Sequence, residues 1–451
     1  MRSFLEKIRD VTYRECRRLL SRPIYLLTSV GAMLFCYLFF LTFMGEGLPQ
    51  RLPIGIVDGD QTALSRTIVQ SVNASPQVEV VGSYAAFSEA REEMQRGEIY
   101  AFIDVSPGFQ ADLLANRRPG LAFYVNNAYL VAGSLSYKDL TYVSELMAAA
   151  IKQQSLQARG VVGEESLMPL LQPIAIDTHP IANPRVNYNV YLSNVLLPGV
   201  LKLLIILFTV FGIGVEIKEN STREWVSTGG GSMLASLTGK LLVHNFLFYI
   251  LGLVGFILLY GVMRFPMNGS IAWMCVALFV FVLAHQAIGI FIIGLFPRLR
   301  DAISLSVFYG LLGFTFAGFT FPIEAMPRGV RIFANFFPIR HYFKIYTNEA
   351  LHGAGIRYSL IYYVAMMLFL ILPFLVYSRL TKTVNNHSTT EGVLAHGRAL
   401  THGRALTHEG GLTHEGGLTQ EGEVPRKGML PREVEENNDG GGGNDRQGDN
   451  G

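Results

Sequence analysis

A group of charged residues lies between two long apolar runs of this 451-residue chain, at residues 216–240. Carboxylates and guanidinium groups in such a segment form ion pairs, and Trp and Arg are side chains that anchor protein interfaces. A plain solvated loop is the alternative interpretation, but this connection is long for one. We predict that the segment forms a protein interface. The residues expected to carry that contact are Glu216, Glu219, Arg223, Glu224, Trp225 and Lys240.

Two adjacent polar residues, His285 and Gln286, lie in the middle of a long apolar run. Burying such groups in a membrane is costly, so they are candidates for a functional role. They line a substrate path in one interpretation, and in the other the histidine is simply hydrogen-bonded between helices. Lys202, in an earlier apolar run, is predicted to extend its amine toward the lipid headgroups. Since the apolar runs contain carboxylates only at their ends, an ion-coupled carrier is disfavoured.

Motifs for catalysis and nucleotide binding are missing from the sequence. There is no P-loop, because Gly239-Lys240 is followed by Leu241 and lacks the preceding glycine. There is also no H-E-x-x-H, paired CxxC or G-x-S-x-G motif. We therefore expect no enzyme activity, no resident cofactor and no metal site in this chain.

Residues 385–451 form a polar tail in which a six-residue pattern repeats. Weak metal binding by its histidines is one interpretation, and a disordered low-complexity tail is the other. A six-residue period fits neither a helix nor a continuous apolar face, and glycine is frequent, so we favour disorder. The repeated histidines are His396, His402, His408 and His414.

The overall composition is typical of a membrane protein. Half of the residues are hydrophobic and 16% are charged, whereas a soluble protein would carry about a quarter charged residues. The predicted fold class is a polytopic α-helical membrane protein with six transmembrane helices and an inserted mixed α/β domain outside the cytoplasm. The six predicted spans are residues 24–44, 195–215, 241–263, 271–296, 302–322 and 359–378.

Lys and Arg in the short loops predict the orientation in the cell (inner or plasma) membrane. Fourteen of them fall on the side that holds both termini and six on the other, so both termini are predicted to be cytoplasmic. Residues 1–23 are expected to form an interfacial amphipathic helix whose arginines face lipid headgroups, or else a plain basic flank. No basic cluster is interleaved with aromatic residues, which argues against nucleic acid as a partner.

Residues 45–194 then lie outside the cytoplasm and are predicted to form one α/β domain. Apolar segments at 52–58, 77–82, 100–105 and 121–126 have the composition of strands. Three segments between or after these strands, at 63–73, 87–96 and 134–159, have apolar residues at the spacing typical of helices. This alternating order favours strands backed by helices.

The chain resembles permease subunits of the ABC-2 family of ATP-binding-cassette exporters over residues 1 to about 384. The charged segment matches the family's cytoplasmic loop at Glu216, Glu219, Arg223, Glu224, Gly239 and Lys240, with Ser221-Thr222 where the family has Gly-Thr. The stretch Ile56-Val57-Asp58-Gly59-Asp60 is similar to the opening of the family's external domain. The segment at 323–358 resembles the family's Pro-rich outer hairpin. The residues that carry this resemblance are Pro322, Pro327, Pro338 and Arg340.

The resemblance implies a membrane-spanning permease that moves a hydrophobic or amphipathic substrate outward. It implies two further kinds of partner besides membrane lipid: a separate ABC ATPase that binds ATP and Mg²⁺, and a second identical or related permease. A periplasmic adaptor is a further candidate partner of the external domain. The 216–240 segment would press on the ATPase, and the outer prolines are expected to interrupt helices near the exit of the path. The alternative is a membrane-anchored binding or scaffold protein without transport.

Overall fold

The computed structural model describes residues 3–45, 47–115, 117–158, 182–183 and 187–386. The predictions for the histidine-repeat tail fall outside these residues, apart from its first two positions. The helices, numbered in chain order, are α1 Phe4–Ser21, α2 Pro23–Phe43, α3 Ala63–Asn73, α4 Phe87–Arg96, α5 Phe109–Leu114, α6 Leu130–Ala158, α7 Tyr188–Lys218, α8 Thr222–Thr228, α9 Met233–Val262, α10 Ile271–Leu295, α11 Leu299–Thr315, α12 Arg328–Ala334, α13 Pro338–Ile345 and α14 Leu360–Asn386.

Five of the described helices are long and apolar enough to cross a membrane: α2, α7, α9, α10 and α14. The predicted span 302–322 coincides with α11, which has 17 residues and ends at Thr315. That length is below the roughly 20 residues that a bilayer crossing needs, so a sixth crossing stays a prediction. Most of α10 is buried, whereas few residues of α2 and α14 are, which places α10 at the centre of the helix bundle.

A four-stranded sheet lies between α2 and α7 in the sequence. Its strands are β1 Leu52–Asp58, β2 Val78–Tyr84, β3 Ala101–Val105 and β4 Leu121–Val125, in the spatial order β2-β1-β3-β4. β1 pairs in parallel with β2 and β3, while β4 is antiparallel to β3. α3 and α6 cover one face through Ile68, Val72 and Leu140, which pack with Ile54 and Ile103. These bounds lie within two residues of the four predicted strands.

The prolines of the segment after α11 do not interrupt its helices. Pro338 is the first residue of α13, Pro327 precedes α12, and Pro322 precedes a single 3₁₀ turn. At these positions a missing N–H removes no helical hydrogen bond, so the expectation that the prolines break helices is wrong. α13 continues through a π turn, Tyr346–Leu351, and buries one face against α10 and α14.

The N-terminal helix α1 is packed along the first turns of α9. Ser3 caps it, accepting from the Glu6 N–H at 3.2 Å. Val11 is fully buried at the contact, and the Thr12 hydroxyl donates to the Gly239 carbonyl at 3.1 Å. The backbones approach closely here because Gly239 has no side chain. A Cβ at this position would lie 2.8 Å from the Ile8 carbonyl oxygen.

We expect Gly239→Ala to lower the free energy of unfolding by about 1–3 kcal/mol, because the added methyl forces α1 away from α9. Gly329→Ala is the matched control, since a Cβ there meets nothing within 4 Å on α12. Alanine favours a helix by about 1 kcal/mol over glycine, so the control should be neutral or stabilising. Thermal unfolding of both variants in lipid nanodiscs measures the difference. Equal melting temperatures would show that α1 is not held at this point.

Candidate functional site

A buried ionic cluster joins α1 to the start of α9 and the end of α7. At its centre, the fully buried Lys240 Nζ donates to Glu15 Oε2 at 2.6 Å and to Glu216 Oε1 at 2.9 Å. Glu15 Oε1 also lies 3.5 Å from His244 Nε2. Because burying one charge alone is strongly unfavourable, these three charged groups depend on one another.

Glu216 accepts from two arginines of α1. Arg14 Nη1 donates to its Oε1 at 2.8 Å and Arg14 Nη2 to its Oε2 at 3.2 Å, a two-point contact. Arg18 also donates to Glu216, as does the Ser221 hydroxyl that precedes α8. The arginine side chains are 17% and 15% exposed. The prediction that the arginines of α1 face headgroups is therefore wrong for these two.

The rest of the predicted loop residues lie at the edge of this cluster or on its surface. Glu219 pairs with Arg18 at 3.1 Å and with Arg22 at 3.4 Å. Glu224 pairs with Arg14 at 3.0 Å, yet its side chain stays 70% exposed. Arg223 is exposed beside it on α8. Exposed ion pairs contribute little to stability, so this surface is suited to binding rather than to holding the fold.

Trp225 occupies the opposite face of α8 and is fully buried. Its indole Nε1 donates to the Ser236 carbonyl at 3.2 Å, and Lys240 Nζ lies 5.4 Å from the ring centroid. The turn to α9 passes through Gly230 and Gly231, whose φ values of +61° and +75° suit glycine. The prediction of Trp225 as an exposed interface anchor is wrong, because the indole instead fastens α8 to α9.

The pKa values of two α1 residues in the cluster are shifted. Burial raises the pKa of Glu15, but the hydrogen bond from His244 and the charge of Lys240 outweigh it and hold the pKa near 2, against an ordinary 4.5. Burial likewise lowers the pKa of Arg14, but Glu216 and Glu224 more than offset this and raise it. Both groups therefore remain charged in the folded protein at neutral pH.

The shift at Glu15 predicts an acid-sensitive stability. A carboxyl group whose folded pKa is depressed stabilises the fold above its unfolded pKa, and that contribution is lost as pH falls from about 4.5 to about 2. A shift of this size corresponds to about 3 kcal/mol. We expect Glu15→Gln to flatten the dependence of the unfolding free energy on pH in this window. An unchanged pH profile in thermal unfolding would contradict the assignment.

The candidate path residues His285 and Gln286 point to different parts of the bundle. His285 Nδ1 donates to the Phe281 carbonyl at 2.7 Å. Its ring packs against the Phe281 ring, which in turn packs against Tyr342. Gln286 instead donates to the Leu241 carbonyl at 3.1 Å and accepts from Asn245 at 3.2 Å. It lines a groove of about 310 Å³ between α9, α10 and α14. The two residues therefore do not form one site.

Arg340, a residue of the predicted outer hairpin, connects α13 to α12. Arg340 Nη1 donates to the Arg331 carbonyl at 3.1 Å and to Asn335 Oδ1 at 2.6 Å, which fastens α13 to α12. On the same hairpin, Lys344 pairs with Glu324 at 2.9 Å. Arg340 thus holds the α12–α13 turn and makes no described contact with the buried ionic cluster.

Sequence reasoning missed Arg14, Glu15, Arg18 and His244 as members of the cluster. The available signal was their spacing. Residues 14, 15 and 18 share one face of a helix at i, i+1 and i+4, opposite the exposed Arg9. Glu15 lies among these arginines, and an acidic residue has no role in binding lipid headgroups. Its presence therefore indicated an ion pair within the protein.

Among the described residues, no group of three or more His, Cys, Asp or Glu side chains could hold a metal ion. The acids and bases of the buried ionic cluster are instead paired with one another across α1, α7 and α9. No curated protein matches the sequence. A family model described as "ABC-2 family transporter protein" matches residues 23–378, which include α2 to α13 and most of α14. The chain is a multi-pass membrane protein that belongs to the ABC-2 transporter family as a permease.

Proposed function

We propose that this chain is the membrane-spanning subunit of an ATP-driven exporter and that a separate ABC ATPase hydrolyses the ATP and holds the Mg²⁺. The hydrophobic or amphipathic substrate moves outward. The chain itself carries no catalysis and pairs with a second permease, identical or related. The protein lies in the inner or plasma membrane of the cell, with both termini in the cytoplasm. Residues 45–194 lie outside the cytoplasm, where they are accessible to an adaptor protein.

The observation that carries this proposal is the arrangement of α8 on the ionic cluster. α8 presents Arg223 and Glu224 to solvent and is fastened to α9 by the buried Trp225. Lys240 and Glu216 then connect α9 to α1 and α7. A push on the exposed face of α8 would therefore move three helices together, which is the form of motion that rocking of two permease halves requires.

Affinity purification of the full chain from its own cells in mild detergent tests the proposal. A stoichiometric soluble P-loop ATPase among the co-purified proteins is the expected result. Recovery of envelope proteins alone, none of which binds nucleotide, would contradict the exporter and favour a membrane-anchored scaffold.

Glu224→Gln tests the docking face itself. We expect about a tenfold loss of substrate-stimulated ATP hydrolysis, because the substitution removes one charge of an interface. Stability should change by less than about 1 kcal/mol, since Glu224 is mainly exposed. Glu92→Gln is the matched control, an exposed glutamate paired with an arginine on the sheet domain. Equal hydrolysis rates in the two variants would place the ATPase contact elsewhere.

A further inference from the structure

Lys202 is a buried cation without an anion. The residue lies in the middle of α7 and is 2% exposed, so its amine does not extend to the headgroups as predicted. No hydrogen bond or ion pair joins its Nζ to another described residue. The closest aromatic contact is the Phe314 ring, whose centroid lies 5.4 Å away. A cation–π contact offsets only part of the cost of burying an ammonium group.

The amine lies in the seam between α7 and α11, below the outer hairpin. A Cβ on Gly313 would be 2.7 Å from Nζ and 3.0 Å from the Phe337 ring. Across the same seam, a Cβ on Gly199 would be 1.9 Å from Phe314. The two helices are thus interlocked through glycines, and Phe337 covers the amine just before α13 begins at Pro338.

His285 supplies a second polar atom without a partner in this region. Its Nδ1–H donates to a carbonyl, which leaves Nε2 as the acceptor of a neutral ring. Nε2 is buried and has no hydrogen-bond partner among the described residues. One turn further along α10, a Cβ on Gly289 would lie 2.7 Å from Thr209, so this face of α10 packs closely against α7. A buried lysine without a paired anion and a buried ring nitrogen without a hydrogen-bond partner are unusual on adjacent helices, because buried polar atoms in proteins are nearly always paired.

We propose that Lys202 binds the acidic head group of a hydrophobic anion on its way outward, with His285 as part of the polar lining. This inference rests on the proposed export function and names the substrate class. A second copy of the chain is a poor source of the missing anion. Along the described part of α7, α10 and α11, carboxylates occur only near the ends, at Glu216 and Asp301. Because these helices offer no carboxylate near the middle of α7, we assign the anion to a bound molecule.

The test uses the full chain in phosphatidylcholine nanodiscs and two fluorescent probes, cis-parinaric acid and its neutral methyl ester. We expect the acid to bind about tenfold more tightly than the ester, as one charged hydrogen bond implies. Lys202→Met should abolish this preference without changing the affinity for the ester. Lys218→Met, an exposed lysine on the same helix, should keep the preference.

A measurement on the unaltered chain guards against misfolding of the variant. Dodecanoate should displace the bound acid, and dodecanol should not. Adding phosphatidylglycerol to the nanodiscs separates two sources of the anion: competition identifies a lipid phosphate, and its absence a single-chain acid. Equal binding of acid and ester, no binding of either, or a preference that survives Lys202→Met would overturn the proposal.

Failure of this inference is distinguishable from failure of the proposed function. If the P-loop ATPase co-purifies but the chain does not discriminate acid from ester, the exporter stands and the substrate class is wrong. If the chain prefers the acid but no ATPase accompanies it, the anion site stands without the export function.

Discussion

Replacing Lys240 by methionine is expected to lower the free energy of unfolding by about 3–5 kcal/mol, the usual cost of removing one partner from a buried ion pair. Lys240 is fully buried and lies between two carboxylates, so its loss leaves negative charge inside the protein. Thermal unfolding in nanodiscs measures the effect. Lys218→Met on the exposed end of α7 is the control and should change stability by no more than about 0.5 kcal/mol.

The structure also predicts which second substitution repairs the damage. Without Lys240, Glu216 keeps Arg14 and Arg18, whereas Glu15 keeps only His244 at 3.5 Å. Glu15 is thus the carboxylate left without sufficient compensation. We expect Glu15→Gln to recover much of the lost stability in the Lys240→Met background, and Glu216→Gln to recover little. Equal recovery by both would show that Lys240 serves the two carboxylates alike.

The elements of this fold were predictable because apolar runs and turn residues are local signals. Gly97, at φ +84°, ends α4 where the spacing predicts, and the apolar runs coincide with the long helices. The length of α11 was not predictable from hydropathy. The apolar run continues to Pro322, but the helix ends at Thr315 and a turn through Gly318, at φ +90°, follows.

The candidate site was only partly predictable, because it depends on contacts between distant segments. The charged loop could be recognised by its composition, and Glu216 and Lys240 do meet. Their partners Arg14 and Glu15 lie about 200 residues earlier in the chain, and no local pattern connects the two segments. The same limit explains Trp225, since its residue type alone does not tell an exposed anchor from a buried one.

Trp225→Ala is expected to destabilise the protein by about 3–5 kcal/mol, as substitutions of large buried aromatic residues by alanine do. The change removes the packing of the indole between α8 and α9, its hydrogen bond to Ser236 and its contact with Lys240. The loss should be concentrated in α8, a helix of seven residues that cannot be stable alone.

Limited trypsin digestion locates the effect, because cleavage after Arg223 requires α8 to open locally. Trp225→Ala should accelerate this cleavage by more than about tenfold, and Trp225→Phe by less, since a phenyl ring retains part of the packing. Ser227→Ala, on the exposed face of the same helix, should leave the rate unchanged. If Trp225→Ala and Ser227→Ala are cleaved at the same rate, α8 is held by something other than the indole.

This result bears directly on how ATP hydrolysis would reach the membrane. A docking helix transmits force only if it is fixed more firmly to the permease than to its partner. The exposed Glu224 and the buried Trp225 separate these two functions on opposite faces of α8. Loss of Glu224 should therefore weaken ATPase binding with α8 still docked, whereas loss of Trp225 should detach α8 from α9, so that any ATPase still bound to α8 no longer drives transport.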